Sequence, residues 1–132
     1  MPKKDTRRKL GYEAENKIKQ VYLNNEYTFI AQNFEYRIDH QTGRMGEIDL
    51  IMEKNGKSIL AFIEVKARQN NNYGPAIQQI TKKQLRSLYF AMQKFLLQNK
   101  RFSNYQIRFD IAIIENNKIN IYPNAYSFDE IL

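Results

Sequence analysis

Residues 46–68 read GEIDLIMEKNGKSILAFIEVKAR. Two apolar runs of strand length flank the turn-forming Lys54-Asn55-Gly56-Lys57, a pattern that predicts two paired strands. Strict alternation in the first run sets Ile48, Leu50 and Met52 on one face and Glu47, Asp49 and Ile51 on the other. In the second run Ile59, Ala61, Ile63 and Val65 share a face, and Leu60, Phe62, Glu64 and Lys66 share the opposite one. Acid thus stands where buried strands ordinarily carry none. Leaving a carboxylate unpaired in such a place is strongly unfavourable, so something must compensate Asp49 and Glu64. A bound metal ion is the compensation this pattern favours.

Composition narrows the chemistry. A chain of 132 residues, 42% apolar and without low-complexity tracts, is expected to fold as one domain with one core. No apolar run reaches the roughly 18 residues needed to span a bilayer, and no signal-peptide core follows the N-terminus. Cysteine is absent and His40 is the sole histidine, which excludes disulfides, Cys-ligated zinc and thiol catalysis and makes a histidine triad hard to build. The expectation is a cytoplasmic protein, without membrane association, that works through carboxylates. The formal charge of +7 suggests a polyanionic partner. Residues 1–9 hold Lys3, Lys4, Arg7, Arg8 and Lys9 against Asp5, and read as a basic, flexible arm preceding a single domain over 10–132. Such an arm either contacts phosphates or solubilises the chain.

Outward from the central stretch, residues 10–24 read as an amphipathic helix. Leu10, Ala14, Ile18, Val21 and Tyr22 recur at steps of three and four. Glu15 falls at the flank of that stripe, either as a solvated boundary charge or reaching over a sheet the helix covers. Residues 27–37 read as a first strand, and 38–44 as a hairpin loop in which His40 is an ordinary solvated side chain. Residues 69–75 (QNNNYGP) form a loop directly after the charged strand end. Thr81-Lys82-Lys83-Gln84 fits a capping box opening a helix to about residue 98, whose buried stripe is Leu85, Leu88, Ala91, Met92 and Phe95. Lys82 and Lys83, with Arg86 one turn on, are surface charges or, with the amides of the first turn, phosphate contacts. Residues 106–114 and 118–122 finish the chain as two strands around the turn at 115–117. Arg108 and Asp110 share a face and read as a structural ion pair.

Hydrolysing a phosphodiester near neutral pH calls for a divalent cation, and Mg²⁺ takes one or two carboxylates plus water and substrate phosphate. Asp49 and Glu64 can be those carboxylates, with Glu15 as a further ligand. Mn²⁺ can substitute for Mg²⁺. Lys66 can orient water or stabilise charge on the phosphate, and Arg68, two residues on, can grip phosphate bidentately. A surface Glu-Lys pair on ordinary strands is the alternative.

The chain resembles the YraN family of small bacterial proteins, grouped with the restriction-endonuclease-like PD-(D/E)xK nucleases and related to Holliday junction resolvases. The resemblance lies in Gly46-Glu47-Ile48-Asp49-Leu50-Ile51, Phe62-Ile63-Glu64-Val65-Lys66-Ala67-Arg68, Arg108-Phe109-Asp110 and Asn124-Ala125-Tyr126. It implies an α/β, restriction-endonuclease-like αβββαβ core, with a mixed sheet flanked by helices. It also implies Asp49 and Glu64 as metal ligands, Lys66 as the catalytic lysine, Glu15 as the acid of the first helix and Lys83 as a basic position on the second. Ile48 stands where the superfamily's motif has proline, and Glu26 where family members often have glycine. The implied activity is Mg²⁺-dependent cleavage of DNA, branched or damaged. The alternatives are an RNA-directed nuclease and a non-cleaving nucleic-acid-binding module of the same fold. A homodimer is expected if cutting is symmetric, since that needs two sites.

Overall fold

The computed structural model describes residues 2–39, 44–68 and 80–127, with side chains for 11–37, 46–68 and 80–127. The expected hairpin loop with His40 and the loop at 69–75 lie outside the described residues. Among the described residues the element order is α1 (Pro2–Leu23), β1 (Tyr27–Asp39), β2 (Arg44–Lys54), β3 (Ile59–Arg68), α2 (Lys82–Gln98), β4 (Gln106–Glu115) and β5 (Lys118–Tyr126), with a 3₁₀ turn at Lys100–Phe102. The five strands form a single sheet in the order β1-β2-β3-β4-β5. Only β3 and β4 run parallel, joined by the crossover through α2; the other neighbours are antiparallel. This mixed sheet with a helix on each face is the α/β, restriction-endonuclease-like core that the sequence implied. Among the described residues no helix is long and apolar enough to cross a membrane.

Local chemistry explains the boundaries. Helical backbone begins at Pro2 rather than at residue 10, so the basic segment forms the first turns of α1. Lysine and arginine are good helix formers, and proline fits a first helical position. Thr81 Oγ1 accepts from the Gln84 amide at 3.1 Å, and Gln84 Oε1 accepts from the Thr81 amide at 2.9 Å, completing the expected capping box. The β2–β3 turn places Gly56 at φ 72, a left-handed conformation open to glycine at no steric cost. Asn116 and Asn117, at φ 52 and 64, close β4 onto β5. Glu26 adopts φ 68, which accounts for glycine suiting that position.

Two clusters sandwich the sheet. On one face Ile18 and Tyr22 of α1 cover Leu50, Met52, Ala61, Ile63 and Ala112. On the other, the α2 stripe Leu85, Leu88, Ala91, Met92 and Phe95 covers Ile48, Ile51, Leu60, Phe62 and Phe109. Strict alternation along β2 therefore fails: Ile48 sides with Ile51, not with Leu50 and Met52. Across from this break, β1 carries Asn33 at φ 55, between the pairs Gln32↔Leu50 and Phe34↔Ile48. Beyond the break Gly46 lies hard against α2, where a Cβ would stand 2.7 Å from the Ser87 carbonyl oxygen and 3.2 Å from Ala91 Cβ.

The α1 face also buries a charge. Asp110, 1% exposed, takes both Arg108 Nε and Nη2 at 2.8 Å, the Tyr22 hydroxyl at 2.7 Å and the Asn124 amide at 2.9 Å. The guanidinium also donates to the Tyr27 hydroxyl at 2.6 Å. Burial, reinforced by the charge and hydrogen bond of Asp110, pushes the Tyr22 pKa well above the ordinary tyrosine value. Arg108 and Asp110 are the structural ion pair expected, and every oxygen of the carboxylate is occupied.

Two stability effects follow. Asp110→Ala leaves Arg108 partly buried without its counter-charge and is expected to cost about 3–5 kcal/mol in urea unfolding. Gly46→Ala forces α2 away from β2 and is expected to cost about 1–3 kcal/mol; an unchanged denaturation midpoint would show that α2 yields freely there.

Candidate active site where the sheet splays

The β2–β3 ladder runs from Lys54↔Ile59 to Leu50↔Ile63 and stops. Beyond that point β2 stays with β1 as far as Asp39↔Arg44, while β3 stays with β4 as far as Arg68↔Glu115. The sheet opens into a V, and Asp49 is the first residue inside it. Its Oδ2 accepts the Val65 amide at 2.8 Å, filling the place a backbone carbonyl would have held. Glu64 precedes Val65 on β3 and continues the row Leu60, Phe62 onto the α2 face, as alternation predicts. Lys66, two residues on, holds its Nζ 3.6 Å from Glu64 Oε1, with the two side chains 30% and 23% exposed.

The opening is a cleft of about 270 Å³ lined by Glu47, Asp49 and Glu64 from the strands and by Lys83, Gln84 and Ser87 from the start of α2. Burial, then the charge of Glu64, raises the Asp49 pKa to about 8, against the lowering effect of the Val65 amide. Glu64 is raised too, by burial, although the Lys66 ammonium opposes this. Glu47 is raised by burial and by Glu35 and Glu15; Glu35 lies directly across the β1–β2 ladder from it. This carboxylate pair is thus destabilised in its ionised form, the opposite of Asp110. A cation would relieve it. Two carboxylates with water and a substrate oxygen suit a hard divalent ion, although among the described residues no three acidic or histidine side chains already stand in ion-binding geometry.

The remaining candidates divide. Glu15 of α1 is half-buried and accepts from Gln32 Nε2 at 3.2 Å, on the first helix as expected, and its charge reaches both Asp49 and Glu47. Lys83 faces the acids across the cleft, whereas Lys82 and Arg86 are exposed on α2 outside its lining. The capping box occupies the Gln84 amide, which removes it from any phosphate-binding role. Arg68 is not brought to the cleft; it lines a separate cavity of about 400 Å³ with Glu13, Ala14 and Lys17 of α1. Glu47 is a cleft residue that sequence reasoning placed on the same strand face as Asp49 without making it a site candidate. Its position two residues before Asp49 on one strand was the available signal. Gln84 and Ser87 gave none, since only the placement of α2 over the V brings them in.

A model of the family described as Uncharacterised protein family UPF0102 matches residues 14–114. The UPF0102 protein of Vibrio campbellii is 34% identical over 92% of this chain and 95% of its own. That of Shewanella sp. (strain ANA-3) is 35% identical over 89% of this chain and 98% of its own. The crystal structure of SSO0001 aligns with a TM-score of 0.47 at 21% identity, covering 92% of this chain and 53% of that one, so this chain spans about half its length. The matched segment runs from α1 to β4 and takes in the whole cleft. The chain belongs to the uncharacterised protein family UPF0102, the YraN family whose motifs its sequence carries.

Proposed function

We propose that this protein is a divalent-cation-dependent nuclease that hydrolyses phosphodiester bonds of DNA, with branched or damaged DNA as its substrate class. The observation that carries the reading is the convergence of the half-buried carboxyls of Asp49 and Glu64 at the point where β2 and β3 part, with Lys66 beside one of them. Asp49 and Glu64 would hold Mg²⁺, or Mn²⁺ in its place, with Glu15 positioned to bind through water. When bound, the ion would offset phosphate charge and lower the pKa of an attacking water.

The chain's own groups supply the rest. The Val65 amide holds one oxygen of the Asp49 carboxyl and so fixes its orientation toward Glu64, with which it shares a hydrogen bond that a bound cation would replace. Lys66, anchored to Glu64, presents an ammonium to the negative charge that builds up on the phosphate. Lys83 stands across the cleft as an electrostatic contact for the scissile strand, and Lys82 and Arg86 extend that contact along the exposed face of α2. Arg68, on its separate cavity, serves a flanking phosphate rather than the scissile one. The absence of cysteine suits a cytoplasmic site of action. Symmetric cutting of a junction would need two such clefts and hence a homodimer.

The reading is tested by incubating the purified protein with plasmid, single-stranded, flap and four-way-junction DNA, and with RNA of matched sequence, with and without Mg²⁺ or Mn²⁺. Cation-dependent cutting of DNA is expected, falling about 100-fold or more in Asp49→Ala and in Lys66→Ala. Lys83→Ala is expected to raise KM more than it lowers kcat. Cutting that survives loss of Asp49 sinks the enzyme reading. Cation-independent binding without cutting points to a non-cleaving module, and preference for RNA moves the substrate.

The strained acid also predicts an inverted stability profile. The folded-state pKa of Asp49 lies near 8, above its unfolded value of about 3.9. The native state is therefore favoured while Asp49 is protonated, and that advantage is lost as pH rises from about 4 to 8. Without added cation, Asp49→Asn is expected to be more stable than the unmodified protein at pH 8 by roughly 2–4 kcal/mol, with no difference near pH 4. Added Mg²⁺ is expected to raise the Tm of the unmodified protein and leave that of the variant unchanged.

A further inference from the structure

Another concave feature lies farther along α2, beyond the cleft. Its lining includes Tyr36 of β1 and Phe90, Lys94, Leu96 and Leu97 of α2, with Lys100 just beyond, around a volume of about 820 Å³. Phe90 is 44% exposed and Leu97 62%, large apolar areas for side chains of a helix whose other face is fully packed. They lie seven residues apart on α2, hence about 10.5 Å along one side of the helix. Lys94 sits 4.9 Å above the Tyr36 ring, which holds its ammonium over the groove wall. Lys100 marks the far end. Among the described residues no acidic side chain lines the groove.

We propose that this groove docks an acidic, amphipathic segment of a partner protein. Two apolar anchors about two helical turns apart would seat against Phe90 and Leu97, and flanking Asp or Glu would meet Lys94 and Lys100. The charge pattern selects this occupant. A second copy of the chain would bring the same two lysines and a net charge of +7 against their like, which is repulsive. The concave shape suits an inserted segment, whereas a membrane surface calls for protruding apolar side chains. None of the groove residues lines the acidic cleft. The two features use successive stretches of one helix: Lys83, Gln84 and Ser87 serve the cleft, and the groove starts at Phe90. A docked partner would therefore leave the cleft open. The placement is that of a recruitment surface, and it holds whatever chemistry the cleft performs.

Fluorescence anisotropy of the full chain tests this with a labelled helical peptide carrying Phe and Leu seven residues apart among Asp and Glu. Its twin carries Lys and Arg in place of the acids. The acidic peptide is expected to bind about tenfold or more tightly than the basic one. Lys94→Glu with Lys100→Glu is expected to reverse that preference, and Leu97→Ala to weaken the acidic peptide, both without change in Tm or in DNA cleavage. Equal binding of the two peptides, binding indifferent to the lysine reversal, or tighter association with phosphatidylglycerol vesicles than with the acidic peptide overturns the proposal. So does concentration-dependent self-association that Leu97→Ala abolishes.

Discussion

One hydrogen bond, from the Val65 amide to Asp49 Oδ2, marks the point where the sheet opens into the candidate site. A backbone amide at mid-sheet needs an acceptor, and in a continuing ladder the facing carbonyl supplies it. Here the side chain supplies it, so β2 can leave β3 without stranding a buried donor. The V that results has room for α2 to bring Lys83, Gln84 and Ser87 over the acids. The same departure releases β2 from strict alternation, and Gly46 then allows β2 to press directly against the Ser87 carbonyl. Sheet topology, helix position and cleft share this one local substitution of side chain for main chain.

The two faces of the sheet treat buried charge in opposite ways. On the α1 face Asp110 is enclosed by four donors from Tyr22, Arg108 and Asn124, and the group acts as a clasp between α1, β4 and β5. On the α2 face burial raises both Asp49 and Glu64 and the charge of Glu64 raises Asp49 further, opposed by the Val65 amide, the Lys66 ammonium and a hydrogen bond between the two carboxyls. A fully satisfied carboxylate adds stability and specificity, whereas an under-satisfied pair stores free energy that a ligand can release. The contrast separates the structural acid from the candidate functional ones without reference to family membership.

Much of this was legible in the residues. Glu64 and Lys66 share a face because β3 keeps its two-residue period, and the capping box at Thr81 and the turns at Gly56 and Asn116 are local devices that sequence reading resolves well. The failures had tertiary causes. Ile48 changed faces where β2 parts from β3 and where the facing strand carries Asn33, distant in sequence, in a left-handed conformation. Glu47 did not stand out as a site residue because the charges that act on it, Glu35 and Glu15, come from two other elements. Arg68 follows Lys66 by two residues, yet lies beside α1, away from the cleft.

The sequence by itself determined the order and type of the elements, the apolar stripes that pair them and the short list of acids that cannot be ordinary core residues. These follow from periodicity and burial cost, which are properties of neighbours along the chain. Tertiary structure alone decided where the sheet parts, which acid is clasped and which is left strained, and that α2 divides its length between an acidic cleft and a basic apolar groove. Those outcomes depend on through-space partners, such as Tyr22 on Asp110 across 88 residues of chain. Electrostatics and packing act over ångströms in space whatever the separation in sequence.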